Sequence, residues 1–352
     1  MLPTLLYRSS VINSLQVSRH DEELLAFFYC DFRNERSTHS AEVMRSILSQ
    51  LLRQLRGGGV HLGSRLYDLI KEKERDDATL NNAEELAKFA CNIVGLLSLK
   101  PLVIVDALDE CKDVKKLLQA LLVIKSRVRL FVTSRPLFVV QDYLDGLPSV
   151  SLDRTASGLL SDIQLHVSRE LDARQRFRSF DKDFKPEIVF VLSTKGGGTF
   201  RWVQCSIDML LRCVIMKEVR NTLNNLPEGL NETYERILIG IDTDVWKSQF
   251  VKRALLWLVA APRPLYLDEL VEGVLINFSS RTLDSDFGPM HSYILLEACG
   301  SLVTYVERTG LITLSHFSVQ QYLLNHTALS QYRINWQSTQ LHLARSCLCY
   351  IS

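Results

Sequence analysis

The sequence predicts an α/β doubly wound parallel sheet, followed by a largely helical second half that carries one small hairpin. Three observations lead there. The runs Leu24 to Cys30, Leu102 to Val105 and Leu130 to Val132 are short, continuous and apolar, as strands buried on both faces of a parallel sheet are. Amphipathic helical patterns separate them, and strands alternating with helices build a doubly wound sheet. Beyond about residue 153 the strand-like runs thin out and helical spacings of three and four take over.

In chain order, LLAFFYC (Leu24 to Cys30) opens the sheet and breaks at Asp31-Phe32-Arg33. Ser40 is placed to cap a helix whose inward stripe is Val43, Met44, Ile47, Leu48, Leu51, Leu52 and Leu55, stopped by Gly57-Gly58-Gly59. A second helix starts near Asn82, with Glu84 and Glu85 at the positive end of its dipole and Leu86, Phe89, Ile93, Val94 and Leu97 inward. Pro101 leads into a strand ending at Asp106, a helix covers Lys115 to Ile124, and the third apolar run follows. A weaker strand, Ser149 to Leu152, is expected to close this half.

Helices are expected around Ile163 to Leu171, Pro186 to Leu192, Trp202 to Leu211 and Tyr234 to Ile241. From Trp246 to Leu324, helices mix with two short strands, Leu302 to Val306 and Leu311 to Leu314, turned by Thr309-Gly310. Helices plus one small hairpin read as a winged helix, and a last helix begins near Ser338. The domain plan is therefore a sheet domain over 1–153, a helical subdomain over 154–243, a winged helix over 244–326 and the start of a C-terminal helical region over 327–352.

Composition bounds the function. A chain of 352 residues exceeds the roughly 250 to 300 that one core holds, and 47% hydrophobic with 23% charged residues is a globular balance. Lys plus Arg number 41 against 40 for Asp plus Glu, so there is no field to attract a polyanion, and neither nucleic acid nor membrane is expected as a partner. The eight cysteines lack CxxC spacing and suit buried thiols in a reducing compartment. No apolar run approaches the roughly 20 residues of a bilayer crossing, and the apolar Met1 to Tyr7 has no basic leader and no convincing cleavage pattern, so a cytoplasmic protein is expected.

The chemistry gathers at two strand ends. In Leu102-Val-Ile-Val-Asp106-Ala-Leu-Asp109-Glu110 a buried strand delivers carboxylates to its C-terminal tip, where α/β sheets bind ligands. Asp106 suits a Mg²⁺ ion or its water shell, and Asp109 or Glu110 suits orienting or deprotonating a water. The same acids also suit capping the helix that follows. The next strand ends in Thr133-Ser134-Arg135-Pro136, which brings a guanidinium, a fork matched to phosphate oxygens, to the same edge.

VIVDALDEC followed by LFVTSRP resembles the NACHT family of STAND nucleotide switches, particularly its fungal and nephrocystin-like members. The likeness continues through LLAFFYCDFR, ILSQLLRQL, Gly198-Thr-Phe-Arg-Trp202, Leu226-Pro-Glu-Gly-Leu-Asn-Glu-Thr-Tyr234, Arg263-Pro-Leu265 and Leu314-Ser-His316-Phe-Ser-Val. The resemblance implies that Asp106 holds the metal, Asp109 and Glu110 are the hydrolytic acids of this Walker B motif, and Arg135 is the sensor. It also implies a winged-helix histidine, His316, on the β-phosphate of bound ADP. His316 reads equally as a packed residue opening a helix. Phe200 and Trp202 read as core or as an adenine pocket.

The family cofactor is ATP or ADP with Mg²⁺, cradled by a GxxxxGK[ST] loop. No such string occurs in these residues: Gly57 to Gly59 has no following lysine, and Lys195-Gly-Gly-Gly198-Thr199 runs in reverse order. Ser9 to Leu15 looks like the end of the helix that follows the loop, so the chain is expected to lack the loop and to bind nucleotide weakly. The resemblance implies a signalling switch with other proteins, or further copies of itself, as partners. The alternative is a non-catalytic interaction scaffold. A winged-helix DNA reader is disfavoured by the few basic residues between Tyr266 and Asn325.

Overall fold

The computed structural model describes residues 24–57, 67, 71, 82–97, 100–151, 157–178, 180, 184–277, 282–283, 291–325 and 327–351. The chain divides into two compact units, Met1–Pro148 and Ser149–Ser352. The helix expected at Ser9 to Leu15 lies outside the described residues.

In the first unit the apolar runs form a parallel sheet of three strands in the order β1 (Leu25–Tyr29), β2 (Leu102–Asp106), β3 (Arg129–Val132). The register sets Tyr29 beside Asp106 and Val105 beside Val132, so all three strands end together. Helices α1 (Ser40–Gly57), α2 (Ala83–Val94), α3 (Val114–Ile124) and α4 (Phe138–Leu144) accompany the sheet. Side chains alternate across a strand, so Ala26, Cys30, Val103 and Val105 join Met44, Ile47, Leu86, Leu117 and Leu121 in one core. Leu25 and Ile104, on the opposite face, form a smaller cluster with Phe27, Tyr29 and Leu102.

The outer edge of β1 is closed by side chains. Gln50 and Gln54, one turn apart on α1, each accept from and donate to one residue of the strand: Gln50 bonds the N–H and carbonyl of Phe27 (3.1 and 2.7 Å), and Gln54 those of Leu25 (3.1 and 2.7 Å). Two amides thus replace a neighbouring strand, because residues two apart on a strand present their edge groups to the same side as residues four apart on a helix.

Two expectations are corrected. Ser40 is not the cap of α1: it is the first helical residue, His39 supplies the capping carbonyl, and the Ser40 hydroxyl donates to Asp113 (2.6 Å). No strand forms at 149–151, where Val150 is 90% exposed; Leu152 lies outside the described residues. Among the described residues no strand pairs with this run.

The second unit begins with helices α5 (Ser157–Ala173), α6 (Gln175–Arg178), α7 (Phe184–Lys195), α8 (Phe200–Arg212), α9 (Met216–Asn224) and α10 (Leu230–Asp242). Their core holds Ile163, Phe177, Ile188, Ile207 and Leu223 around Trp202, whose indole N–H donates to the Pro227 carbonyl (2.9 Å). Trp202 is therefore a core residue, while Phe200 is 41% exposed and meets the ring of His166 edge-on.

Then come α11 (Val245–Ala260), β4 (Leu265–Tyr266), α12 (Leu267–Leu275), β5 (Ile276–Asn277), β6 (Thr282–Leu283), α13 (Tyr293–Cys299), β7 (Val303–Val306), β8 (Leu311–Leu314), α14 (Phe317–Leu324) and α15 (Trp336–Ile351). The hairpin expected at 302–314 is present, with Gly310 at φ 68 in its turn. Sequence reading missed the third strand, β4, which pairs with β8 and gives the antiparallel order β4-β8-β7. Two residues are too short a run to show any period.

Candidate functional site

The candidate site is the C-terminal rim of the parallel sheet. Its geometry starts at Ala107, the residue after the β2 tip, which among the described residues is the non-glycine with a left-handed backbone (φ 56, ψ 48). An alanine there costs about 1–2 kcal/mol. The conformation is held because the Ala107 N–H donates to Thr133 Oγ1 (2.9 Å) and the Leu108 N–H to the Thr133 carbonyl (2.9 Å). The sharp turn feeds a single 3-10 turn, Leu108–Glu110, that points the two later acids in different directions.

Each predicted residue has a definite place. Asp106 stands at the tip of β2, where its Oδ1 accepts from the Thr133 hydroxyl (2.5 Å). Asp109, with a side chain only 6% exposed, accepts from the Arg135 Nε (2.6 Å) and the Arg135 backbone N–H (3.1 Å). Glu110 turns toward the end of β1 and accepts from the Phe32 N–H (3.0 Å). Asp106, Asp109, Glu110 and Arg135 therefore share one rim, and both hydrolytic candidates are engaged with donors of the protein itself. His316 belongs to the second unit. It caps α14, its Nδ1 accepting from the Ser318 N–H (3.1 Å).

The electrostatics follow the crowding of acids. Burial pushes the Cys30 thiol up, and Cys111, Glu110, Asp106 and Asp109 push it further, so it stays a neutral thiol at the end of β1. Burial likewise drives Cys111 up to about 12. Arg33 is desolvated, yet its hydrogen bonds to Asp31, with the charges of Asp31 and Glu110, keep it charged. Below the rim, burial would raise Asp113, but hydrogen bonds from the Ser40 hydroxyl and N–H outweigh it and hold the carboxylate below its ordinary value.

Magnesium fits this donor set. A single strand-tip carboxylate with a hydroxyl beside it suits an ion that keeps waters and takes phosphate oxygens. Among the described residues no group of three or more His, Cys, Asp or Glu side chains forms an all-protein cage. The glycine run at 196–198 is a helix junction. A Cβ on Gly196 would stand 2.7 Å from the Leu192 carbonyl, and Gly197 and Gly198 have φ of 51 and 80, which turns α7 into α8.

Several residues escaped sequence reading. Asp113 and Ser40 lie 73 positions apart, and nothing in either neighbourhood marks the pairing. Arg201, Tyr234 and Ser318 connect to His316; each lies in a stretch that carries the family resemblance, but sequence reading gives none of them a role.

Comparison with known proteins gives two family matches. Residues 6–135 match the family described as Nephrocystin 3, N-terminal, and residues 239–335 match the winged helix domain of GPI inositol-deacylase. The chain is 25% identical over 316 residues, 86% of its length, to the Vegetative incompatibility protein HET-E-1 of Podospora anserina. It is 30% identical over 140 residues, 37% of its length, to the Azaphilone pigments biosynthesis cluster protein L of Monascus ruber. The matched stretches span 22% and 29% of the lengths of those proteins.

Proposed function

We propose that this chain, a relative of the NACHT-like family, forms part of a nucleotide-gated signalling switch that takes its nucleotide at the rim of the parallel sheet. The observation that carries the reading is the convergence of Asp106, Asp109, Glu110, Thr133 and Arg135 on that one rim. In this reading the three strands are part of a doubly wound core.

Asp106 would hold a Mg²⁺ ion, whose charge offsets that of the phosphates. Asp109 and Glu110 orient a water, and Arg135 engages a terminal phosphate. His316, in the second unit, is kept as a candidate phosphate contact only through the family resemblance. These 352 residues by themselves supply no lysine and backbone cradle of the GxxxxGK[ST] kind, and the nucleotide binding proposed for them alone is weak. Other proteins, or further copies of this chain, are the partners. Among the described residues no helix is long and apolar enough to cross a membrane, and a cytoplasmic location is part of the proposal.

Titration with a fluorescent ADP analogue and Mg²⁺ tests the reading. Weak, saturable binding that disappears in Asp106→Ala supports it, whereas a signal that never saturates, or that ignores the substitution, counts against it. The engagement of Asp109 and Glu110 by the protein's own donors favours a second reading, a scaffold without nucleotide. Under it, Asp106→Ala leaves partner binding unchanged.

A further inference from the structure

Thr133, the residue after β3, is tied to β2 and to the turn beyond it through its main chain and its hydroxyl at once. Its N–H donates to the Val105 carbonyl (3.0 Å) and its carbonyl accepts from the Leu108 N–H (2.9 Å). Its hydroxyl accepts from the Ala107 N–H (2.9 Å) and donates to Asp106 Oδ1 (2.5 Å). The main-chain bonds keep the two strand tips in register. The hydroxyl holds something different, the side chain of the strand-tip acid.

The placement of the hydroxyl hydrogen is unambiguous. An amide N–H can only donate and a carboxylate can only accept, so the hydrogen points at Asp106 and a lone pair at Ala107. A β-branched side chain has few rotamers, and with its N–H and carbonyl both engaged Thr133 has little backbone freedom either. Bonding Oδ1 sets the plane of the Asp106 carboxylate and with it the direction of Oδ2. A carboxylate offers about four lone-pair sites, so this bond does not compete with a metal ion or a metal-bound water. The same hydroxyl braces the left-handed residue from which the turn with Asp109 and Glu110 departs.

We propose that Thr133 is a positioning residue whose hydroxyl fixes the Asp106 carboxylate in the orientation that receives Mg²⁺, and locks that orientation to the turn carrying Asp109 and Glu110. The proposal rests on the reading of Asp106 as the metal residue given above. Groups that orient a metal-binding side chain are worth about 10–100-fold in metal affinity. Thr133→Val keeps the shape of the side chain and both main-chain bonds but removes the hydroxyl, so it isolates this contribution. Thr133→Ser gives up a methyl group and keeps the hydroxyl.

Binding of a fluorescent ADP analogue to the intact chain, measured across a Mg²⁺ titration and again in EDTA, tests this. The wild-type chain is expected to bind more tightly with Mg²⁺ than without it. In Thr133→Val the Mg²⁺ midpoint is expected to rise about tenfold or more, and in Thr133→Ser to stay within about twofold of wild type. A hydroxyl that only braces the turn would, when removed, weaken binding equally with and without Mg²⁺, and that result overturns the positioning role. A Mg²⁺ midpoint that Thr133→Val leaves unmoved overturns it too. If Thr133→Val does not fold, Thr133→Ser still decides: a midpoint near that of wild type supports the role of the hydroxyl, and one raised about tenfold overturns it. Wild-type binding that never saturates, or that Mg²⁺ does not strengthen, removes the reading of Asp106 and this proposal with it. Mg²⁺-strengthened binding that ignores Thr133→Val removes the proposal alone.

Discussion

Asp109 and Arg135 show how far single residues could be understood in advance. Their presence at one edge was legible, because strand ends of a parallel sheet must meet there. Their pairing was not, because it depends on the left-handed turn at Ala107, which nothing about an alanine announces. Replacing Ala107 with Gly trades about 1–2 kcal/mol of strain for about 0.5–1 kcal/mol of chain entropy, so Ala107→Gly should raise stability by up to about 1.5 kcal/mol in urea unfolding. Arg135→Gln leaves a nearly buried carboxylate with only the Arg135 N–H, and with the guanidinium itself 43% exposed the loss should be about 1–2 kcal/mol. Asp113 adds a pH dependence. Its carboxylate is depressed by the Ser40 bonds, so its contribution is full above the ordinary carboxylate range and is lost as pH falls through the lower folded value. Ser40→Ala should therefore destabilise the chain at pH 7, and the gap from wild type should narrow as unfolding is repeated at progressively lower pH.

Among the elements, strands and helices of high periodicity could be read from sequence, but helix ends were read short, α5 starting at Ser157 where Ile163 was expected and α10 at Leu230 where Tyr234 was expected. The helix expected to start near Asn82 does so, with the Asn82 side chain capping it at the Glu85 N–H, and the inward stripe of α1 is buried except for the half-buried Leu52. What could not be read depended on partners distant in the chain: β4 exists because β8 lies beside it, and the edge of β1 is closed by Gln50 and Gln54. Both glutamines look like ordinary polar positions of an amphipathic helix until the strand edge is in view. Gln50→Leu with Gln54→Leu would leave the N–H and carbonyl groups of Phe27 and Leu25 without these partners. A loss of about 2–4 kcal/mol in urea unfolding is expected, with light scattering rising as the bared edge pairs between molecules. An unchanged urea midpoint would show that water satisfies the edge equally well.

For the whole molecule, the sequence pattern distinguished a sheet half from a helical half, because period two or continuous runs and period 3.6 rest on different backbone geometry. The two compact units, Met1–Pro148 and Ser149–Ser352, each contain their own core. Calorimetry should accordingly resolve two unfolding transitions, with Ser40→Ala lowering only one of them, and a single transition lowered as a whole would contradict independent cores. The central claim concerns the rim of the first unit. A ligand that binds only the folded state must raise its melting temperature. The most direct measurement is a thermal-shift titration of the chain with ATP, ADP and GTP in the presence of Mg²⁺, repeated on Asp106→Ala. A saturable, Mg²⁺-dependent rise for a nucleotide that vanishes in the variant is the predicted result; no rise at any nucleotide concentration, or one that Asp106→Ala leaves intact, would contradict a nucleotide site at the sheet rim.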